Sequence, residues 1–245
     1  MGQTVIEERE PVDYVNILMG SQSDFLLSNG NVYPAIARPW GMNFWTPQTG
    51  EMESGWQYQY GENRIRGFKQ THMPSPWMND YGQFSLMPMT GVLQLDEEER
   101  RSWYSHNTVT AQPHYFSAYL GDYDITVEIT PTERAAILRF TFPDSDRSHV
   151  IIDAFDDGPY IKILPEENKI IGYTTKNSGG VPENIKNYFV VIFDKTFDRE
   201  LVWDEFMPVE QVLEMEGEHA GAAISFNTAK GEQVHARVAS SFISH

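Results

Sequence analysis

The residues of this chain that could do chemistry lie among tryptophans. Four of the six tryptophans fall between positions 40 and 77, interspersed with Asn, Asp, Gln and His: Trp40, Trp45, Trp56 and Trp77. This mixture suits a surface that holds a sugar, because the C–H faces of a sugar stack on aromatic rings while amides and carboxylates bond its hydroxyls. For any single tryptophan, a place in a core under long loops is an equally good interpretation.

Glycoside hydrolysis is one reaction that such a surface could serve, and it requires two carboxylates that flank the scissile bond. The carboxylates of this stretch are Asp24, Glu51, Glu53, Glu62 and Asp80. Asp80, in the run WMNDYG, is the best placed, although an aspartate there also suits an Asx-turn that bonds its own backbone. No second carboxylate clearly partners it. His72 could bond a hydroxyl, but a single histidine is more often structural.

Other catalytic signatures fail. HExxH and GxGxxG do not occur, and GSQSD at 20–24 is not a Gly-x-Ser-x-Gly elbow. The run 153–158 resembles a calcium loop, yet Phe155 and Leu164 stand where an EF-hand needs oxygen ligands. The absence of cysteine excludes disulfides, thiolate nucleophiles and cysteine-based zinc sites.

Composition narrows the class of protein further. At 245 residues, a single all-β domain is an ordinary size. A net charge of −17 argues against a nucleic-acid partner, because phosphate binding needs clustered Lys and Arg. No apolar run approaches the roughly 18 residues that a membrane span needs. The acidic run 96–99, followed by Arg100 and Arg101, is interpreted as a solvated turn or the start of a short helix, in preference to a cation site.

The elements that must position these residues are strands. Ile125, Val127 and Ile129 alternate with polar residues, which is the period of a half-buried strand. The same reasoning predicts strands over 125–130, 136–142, 149–155, 160–164, 169–175, 188–193, 220–226 and 233–242, the last two forming a hairpin around 227–231. Strands this closely spaced, without helices between them, predict an antiparallel β-sandwich.

Outside the strands, two features are expected. One short helix is predicted around 210–216, where Met207 and Pro208 provide a start. The stretch 25–90 is predicted to form long aromatic-rich loops, because six prolines between positions 34 and 88 exclude one long helix or central strand.

Two groups of motifs resemble those of a known family. The segments 15–16, 20–21, 30–35 (GNVYPA) and 38–42 (RPWGM) look like the opening signature of the family 92 glycoside hydrolases. GFKQTHMPSP at 67–76 and NDYGQF at 79–84 resemble that family's second motif. The similarity extends over the whole chain, including 129–143 and 173–191.

The resemblance implies a fold and an activity. It implies a β-supersandwich of galactose mutarotase type, in exo-acting, inverting, calcium-dependent α-mannosidases of glycan-degrading bacteria. In that family an (α/α)6 barrel follows and carries the calcium ligands, the catalytic acid and the base. Residues 1–245 would then form one N-terminal domain, inactive alone and without bound calcium or catalytic residues. Its partners would be α-mannoside glycans and its own barrel domain.

The resemblance also implies where the sugar lies and where the protein works. We expect Phe25, Asn31, His72, Trp77 and Asp80 near the sugar subsites, with Trp77 as the stacking platform. Residues 75–77 read Ser-Pro-Trp where many members have Ser-Gly. We further expect a large aromatic patch, formed by the loops 25–90, where the barrel docks. The start of the chain has no apolar leader segment, and the expected location is the periplasm or the outside of a bacterium.

Two other interpretations stay open. A free-standing carbohydrate-binding module would use the same aromatic surface without chemistry. A mutarotase-type epimerase would need a histidine acid and a carboxylate base, which His72 and Asp80 would have to supply. An in-frame helical barrel downstream of His245 would favour the hydrolase over both.

Overall fold

The computed structural model describes residues 9–22, 32–51, 57–73, 80–177 and 179–245. Over these ranges the chain forms strands and three short 3-10 helices, the latter at Pro11–Tyr14, His106–Thr108 and Pro165–Glu167. In chain order the strands are β1 Phe44–Gln48, β2 Arg64–Ile65, β3 Gly67–Thr71, β4 Phe84–Thr90, β5 Ser102–Trp103, β6 Thr110–Gln112, β7 Tyr115–Leu120, β8 Ile125–Pro131, β9 Ala135–Phe142, β10 Ser145–Asp156, β11 Tyr160–Leu164, β12 Lys169–Thr174, β13 Asn187–Phe193, β14 Arg199–Asp204, β15 Met207–Val209, β16 Glu214–Glu216, β17 His219–Thr228 and β18 Glu232–Ser241. The predicted all-β class is confirmed.

Two large antiparallel sheets make up the sandwich. The seven-stranded sheet has the order β1-β3-β4-β10-β17-β14-β15, and the nine-stranded sheet has the order β16-β11-β12-β13-β18-β9-β8-β7-β6. A small sheet pairs β2 with β5. Over the described ranges, no helix is long and apolar enough to cross a bilayer.

Strand β8 shows why the sequence pattern worked in the nine-stranded sheet. Ile125, Val127 and Ile129 are fully buried, while Thr126 and Glu128 between them are partly exposed. Their apolar side chains join the main core, which lies between the two sheets. Because one face of this sheet meets the core and the other meets water, the alternation in the sequence predicted the strand correctly.

Strand β10 is buried on both faces. Val150 and Ile152 point into the main core, while Ile151 belongs to a second apolar cluster with Trp203 on the outer face. Leu95 packs in that second cluster, so the segment after β4 covers the outer face. Arg100 is fully buried beneath the surface. The acidic run 96–99 directly before it does form the expected turn, with Glu98 and Glu99 exposed.

The predicted helix at 210–216 does not form. Instead, β15 ends at Val209 against β14, and β16 pairs with β11 in the other sheet. Gln211, between them, has φ +65. An α-helix requires negative φ at every residue, so this left-handed position is incompatible with the expected helix.

The predicted last hairpin is also wrong, although both of its strands exist. β17 pairs with β10 and β14 in the seven-stranded sheet, whereas β18 pairs with β9 and β13 in the nine-stranded sheet. The turn between them therefore carries the chain from one sheet to the other. Turn residues mark a reversal of direction but do not say which strands become partners.

Candidate functional site

The candidate site lies at one end of the sandwich, beside the connection between β3 and β4. These strands pair so that Gln70 lies opposite Phe84, and the connection leaves β3 at His72 and returns to β4 through Asp80. The nine-stranded sheet reaches the same place with Asn187, at the start of β13, and with Phe242, directly after β18. Both sheets therefore contribute residues to this end of the molecule.

The carboxylate of Asp80 holds the two ends of that connection together. Its Oδ1 accepts hydrogen bonds from the backbone nitrogens of His72 at 2.9 Å, Tyr81 at 2.9 Å and Met73 at 3.3 Å. Its Oδ2 accepts a bond from Gln57 Nε2 at 2.9 Å. Asp80 is only 3% exposed. These bonds engage both oxygens with donors of the chain itself. They are not the expected Asx-turn, because the Gly82 nitrogen, two residues after Asp80, donates to the Lys176 carbonyl instead.

The ring of His72 is fixed in one orientation. Its Nδ1 lies 2.6 Å from the carbonyl oxygen of Tyr81, and because a carbonyl only accepts, Nδ1 must carry the proton. The ring stacks on the Tyr81 ring at 5.0 Å and packs against Phe242 at 5.2 Å. Burial lowers the pKa of His72, and the negative charge of Asp80 opposes this shift. At neutral pH, His72 is therefore uncharged, with a bare Nε2.

Two of the buried acceptors in the described part of this region belong to residues that pack against Gly82, and neither has a hydrogen-bond partner. His72 Nε2 is buried without a hydrogen bond, and so is Asn187 Oδ1. Asn187 Nδ2 donates to the carbonyl oxygen of Gly82 at 2.7 Å. An unsatisfied buried acceptor costs on the order of 1–3 kcal/mol, so each of these atoms offers a favourable place for a donor.

Gly82 allows the two acceptor residues to come close. Its φ is +65, and a Cβ at this position would lie 2.7 Å from Asn187 Cβ and 3.2 Å from His72 Cε1. The position therefore requires glycine for both its backbone conformation and its lack of a side chain. Gly82 is further fixed through its nitrogen, which donates to the carbonyl oxygen of Lys176 at 2.8 Å.

Polar groups continue beneath the site along β3. Tyr33 Oη lies 2.6 Å from Thr71 Oγ1, and burial, aided by the charge of Asp80, raises the pKa of Tyr33. Lys69 is 1% exposed, with its Nζ 5.0 Å from the centre of the Phe155 ring. Burial lowers the pKa of Lys69 to about 8, although the charge of Asp80 opposes the shift. The electrostatic influence of Asp80 thus reaches well into the sheet.

A separate group of buried charges lies on the outer face of the seven-stranded sheet. Asp153 Oδ2 is 2.6 Å from Arg100 Nη2, and its Oδ1 accepts a bond from His219 Nε2 at 2.9 Å. Arg100 also donates from Nη1 to the carbonyl oxygen of Leu95 at 2.8 Å. Desolvation alone would raise the pKa of Asp153, but Arg100 and His219 outweigh it and hold that pKa well below its ordinary value. Asp153, the first residue of the run that resembles a calcium loop, therefore forms ion pairs.

Of the five residues expected near the sugar, the structure describes two, His72 and Asp80, and brings them together. They meet through Asp80 Oδ1 and the backbone nitrogen of His72, which is not the acid–base pair that an epimerase would need. Phe25, Asn31 and Trp77 lie outside the described residues, as does Trp56.

The two described tryptophans of the aromatic cluster differ. Trp45 is fully buried, and Trp40 is fully exposed. Trp45 is therefore a core residue, as the alternative interpretation allowed. Trp40, at φ +63, is the described tryptophan that could belong to the expected docking patch.

Sequence reasoning missed Gln57, Gly82 and Asn187 as members of the site. Gly82, directly after Asp80-Tyr81, gave a turn signal that could have been used. Asn187 and Gln57 gave none, because their roles depend on contacts between segments distant in the sequence.

Comparison with known proteins agrees with the β-sandwich fold. The model of the "Glycosyl hydrolase family 92 N-terminal domain" matches residues 14–241. A family GH92 inverting mannosidase from Bacteroides thetaiotaomicron is 40% identical, with a TM-score of 0.91 over 97% of this chain and 32% of that protein. A family GH92 α-mannosidase from the same organism is 29% identical over 95% of this chain and 34% of its own, with a TM-score of 0.84. It has also been solved in complex with mannoimidazole.

A curated relative extends the range of organisms. An "Uncharacterized secreted glycosidase" from Arthroderma benhamiae is 25% identical over 146 residues, which are 57% of this chain and 18% of that protein. The chain thus spans about a third of the solved mannosidases and less of the fungal protein. The family match, nearly end to end, and the sandwich described above lead to one conclusion: the chain belongs to glycosyl hydrolase family 92, of which it is the N-terminal domain.

Proposed function

We propose that this chain is the N-terminal β-sandwich of a glycan-degrading exo-α-mannosidase and lends sugar-binding loops to an active site completed by a second domain. The observation that carries the proposal is the match to a family GH92 mannosidase over 97% of this chain at 40% identity, covering only 32% of that enzyme. The remaining length of such an enzyme is sufficient for a catalytic domain.

The chemistry of the described site supports this division of labour. Asp80 is the carboxylate that the sequence marks as best placed, yet it is buried and accepts hydrogen bonds from backbone amides and from Gln57. We therefore assign it no acid or base role. In an inverting reaction an acid protonates the leaving oxygen while a base activates water across the ring, and we assign both groups to the second domain.

The sandwich's share is to bind and orient the sugar. We propose that His72 and Asp80 lie beside the subsites together with Phe25, Asn31 and Trp77. Trp77 supplies a ring face for stacking, and Asn31 and His72 bond the hydroxyls.

Calcium is part of the same proposal, but not on this chain. Within the described ranges, no group of three His, Asp or Glu side chains could hold a metal ion. We assign the calcium ligands to the second domain and no step of the reaction to a metal held here.

We also propose a location outside the cytoplasm, in the periplasm or beyond it, in a bacterium. Support comes from the curated relative, which is named a secreted glycosidase, and from the bacterial source of the similar mannosidases. Extracellular glycans are the substrates that such a location would offer. Fractionation of the producing cells, with activity assayed in each compartment, tests this assignment.

The central experiment compares the 245-residue chain with the longer protein encoded by its reading frame. We expect the longer protein to release mannose from α-mannosides in a manner that a calcium chelator abolishes. The 245-residue chain alone should release none, because both catalytic groups are assigned to the other domain. Release of mannose by the 245-residue chain, or none by the longer protein, would contradict the proposal. Glycan binding without hydrolysis by the longer protein would favour a binding module instead.

A further inference from the structure

We propose that Asp80 is a positioning residue that holds His72 in the tautomer whose Nε2 accepts a hydrogen bond from a ligand hydroxyl. The inference rests on the proposed function, because the hydroxyl is taken to be that of a mannoside. It goes further by giving the two residues different roles: His72 meets the ligand, and Asp80 acts through His72.

The first step is the control of the His72 backbone. Asp80 Oδ1 accepts from the His72 nitrogen at 2.9 Å and from the Tyr81 nitrogen at 2.9 Å. One oxygen atom therefore fixes the distance between the two chain segments that enter and leave the connection. The two nitrogens belong to residues nine positions apart in the sequence, so this oxygen joins the beginning of the connection to its end.

The second step is the control of the His72 ring. The Asp80 contact places the Tyr81 carbonyl oxygen, which accepts a hydrogen bond from His72 Nδ1 at an N···O distance of 2.6 Å. The Tyr81 ring lies parallel to the imidazole, with an interplanar angle of 6°. Because Nδ1–H is engaged and the ring plane is held, Nε2 keeps its lone pair in a constant direction.

The third step is the character of the partner. Among the described residues, His72 Nε2 and Asn187 Oδ1 are both buried acceptors without a hydrogen bond, and the side chains that carry them both pack against Gly82. Only 6% of the surface of His72 is exposed. A buried acceptor calls for a group that donates, and a sugar hydroxyl is such a group. A carboxylate or a bare ether oxygen would be repelled.

The experiment first measures the tautomer in the 245-residue chain, by nitrogen NMR of labelled histidine. We expect the wild-type His72 to show a protonated Nδ1 and a bare Nε2. Asp80→Ala should remove this preference. Asp80→Asn should keep it, because the introduced amide oxygen can still accept the backbone N–H groups. Its NH2 can donate to Gln57 Oε1, which has no partner at present. If Asp80 acted instead as an acid or a base, Asp80→Asn would abolish that function, because an amide cannot replace a carboxylate in proton transfer.

The second measurement uses the longer protein and aryl α-mannosides that each lack one ring hydroxyl. In the wild type, removal of the hydroxyl that donates to His72 should lower kcat/KM about fivefold, the effect of one neutral hydrogen bond. His72→Asn retains a donor for the Tyr81 carbonyl but lacks the Nε2 acceptor. In this variant, removal of the same hydroxyl should have no further effect. His114→Asn, at an exposed position in the turn between β6 and β7, is the matched control.

Each outcome decides one part. A protonated Nε2 in the wild-type chain, or an Asp80→Ala chain that folds and keeps the tautomer, would overturn the positioning role. Equal losses for every deoxy sugar in wild type and His72→Asn would overturn the acceptor role. A longer protein that hydrolyses no α-mannoside would remove the proposed function and the ligand assignment with it, whereas the NMR result would still decide whether Asp80 positions His72.

Discussion

Two buried aspartates show how the same residue type serves different ends in this molecule. Asp80 is held by neutral donors, mostly backbone nitrogens, and so determines the shape of a loop base. Asp153 is held by two side chains that can carry positive charge, Arg100 and His219, and so determines a charge balance. The contacts of Asp80 should therefore respond to substitutions that alter its size or its hydrogen bonds, whereas the stability that Asp153 contributes should depend on pH.

The Asp153 cluster predicts a pH dependence of stability. Desolvation would lower the pKa of His219, but the charge of Asp153 and its hydrogen bond outweigh this and raise that pKa above 6.5. A raised folded-state pKa means that protonated His219 contributes its full stabilisation below pH 6.5 and loses it as pH rises through the folded value. The stability advantage of wild type over His219→Gln should therefore shrink as pH rises from 6 towards 8. Urea unfolding at each pH measures it.

The charges of Asp153 and Asp156 favour the proton of His219, whereas the charge of Arg100 opposes it. Asp153 itself titrates only under acid conditions, because its pKa is depressed, so it does not contribute in this window. His235→Gln, at a half-exposed position on β18, serves as a control. An advantage that stays constant from pH 6 to pH 8 would contradict this prediction, because it would show that titration of His219 does not contribute to stability in this range.

Trp77 is the residue that the sequence analysis expects to stack on the sugar. In the longer protein, Trp77→Ala should weaken substrate binding or turnover by about 1–3 kcal/mol, as expected for the loss of an aromatic anchor. It should leave calcium affinity nearly unchanged, because the metal ligands are assigned to the other domain. Steady-state kinetics and a calcium titration measure both effects. Intact kcat/KM together with a lower melting temperature would identify Trp77 as a core residue.

At the residue scale, the sequence singled out His72 and Asp80 but did not predict how they contact each other. His72 and Asp80 stood out because they lie among aromatic residues, and the structure brings them together. Their mutual geometry could not be predicted, because it depends on an oxygen that bonds backbone nitrogens on both sides of a connection. Asn187 could not be found at all, since it reaches the site from the opposite sheet.

Among the elements, the central row of the seven-stranded sheet is the most tightly constrained. Gly221 on β17 lies opposite Asp153 on one side and Trp203 on the other. A Cβ there would lie 2.1 Å from Trp203 Cζ2 and 2.6 Å from the carbonyl oxygen of Ile152. The indole thus occupies the space that a side chain at this position would need.

Gly221→Ala is therefore expected to destabilise the domain by about 1–3 kcal/mol or more, the cost of overpacking a dense interior. Gly61→Ala is the matched control, because a Cβ there meets nothing within 4 Å and its φ is not positive. That change should be neutral or slightly stabilising. Chemical denaturation of both variants measures the difference. Equal stability of the two would mean that the Trp203 ring can move aside.

Elements were predictable where one face meets water. β8 and β9 alternate between core and solvent, and the sequence shows that alternation directly. β10 does not alternate, because the segment that follows β4 covers its outer face. The helix expected at 210–216 failed because strand pairing with two different sheets draws its ends apart, with Gln211 in a left-handed conformation between them.

At the scale of the whole molecule, the two sheets share one core and one chain. We expect the 245-residue chain to fold without a second domain and to unfold in a single cooperative transition. Circular dichroism in the near and far ultraviolet, together with calorimetry, should give coincident curves. Two separate transitions, or a chain that remains unfolded in buffer, would show that the sandwich needs a partner for its stability.

The alternation of the chain between sheets has a consequence for how the domain is reached from the unfolded state. After β9 the chain changes sheet between β9 and β10, β10 and β11, β13 and β14, β15 and β16, β16 and β17, and β17 and β18. Neither sheet can be completed before the other has begun, and β10 must wait for β17 to arrive from about 70 residues further along the chain. Such non-local pairing makes refolding slow, in the range of milliseconds to seconds or longer, and leaves strand edges unpaired meanwhile. Newly made chains should therefore be most prone to aggregate before β17 and β18 have emerged from the ribosome.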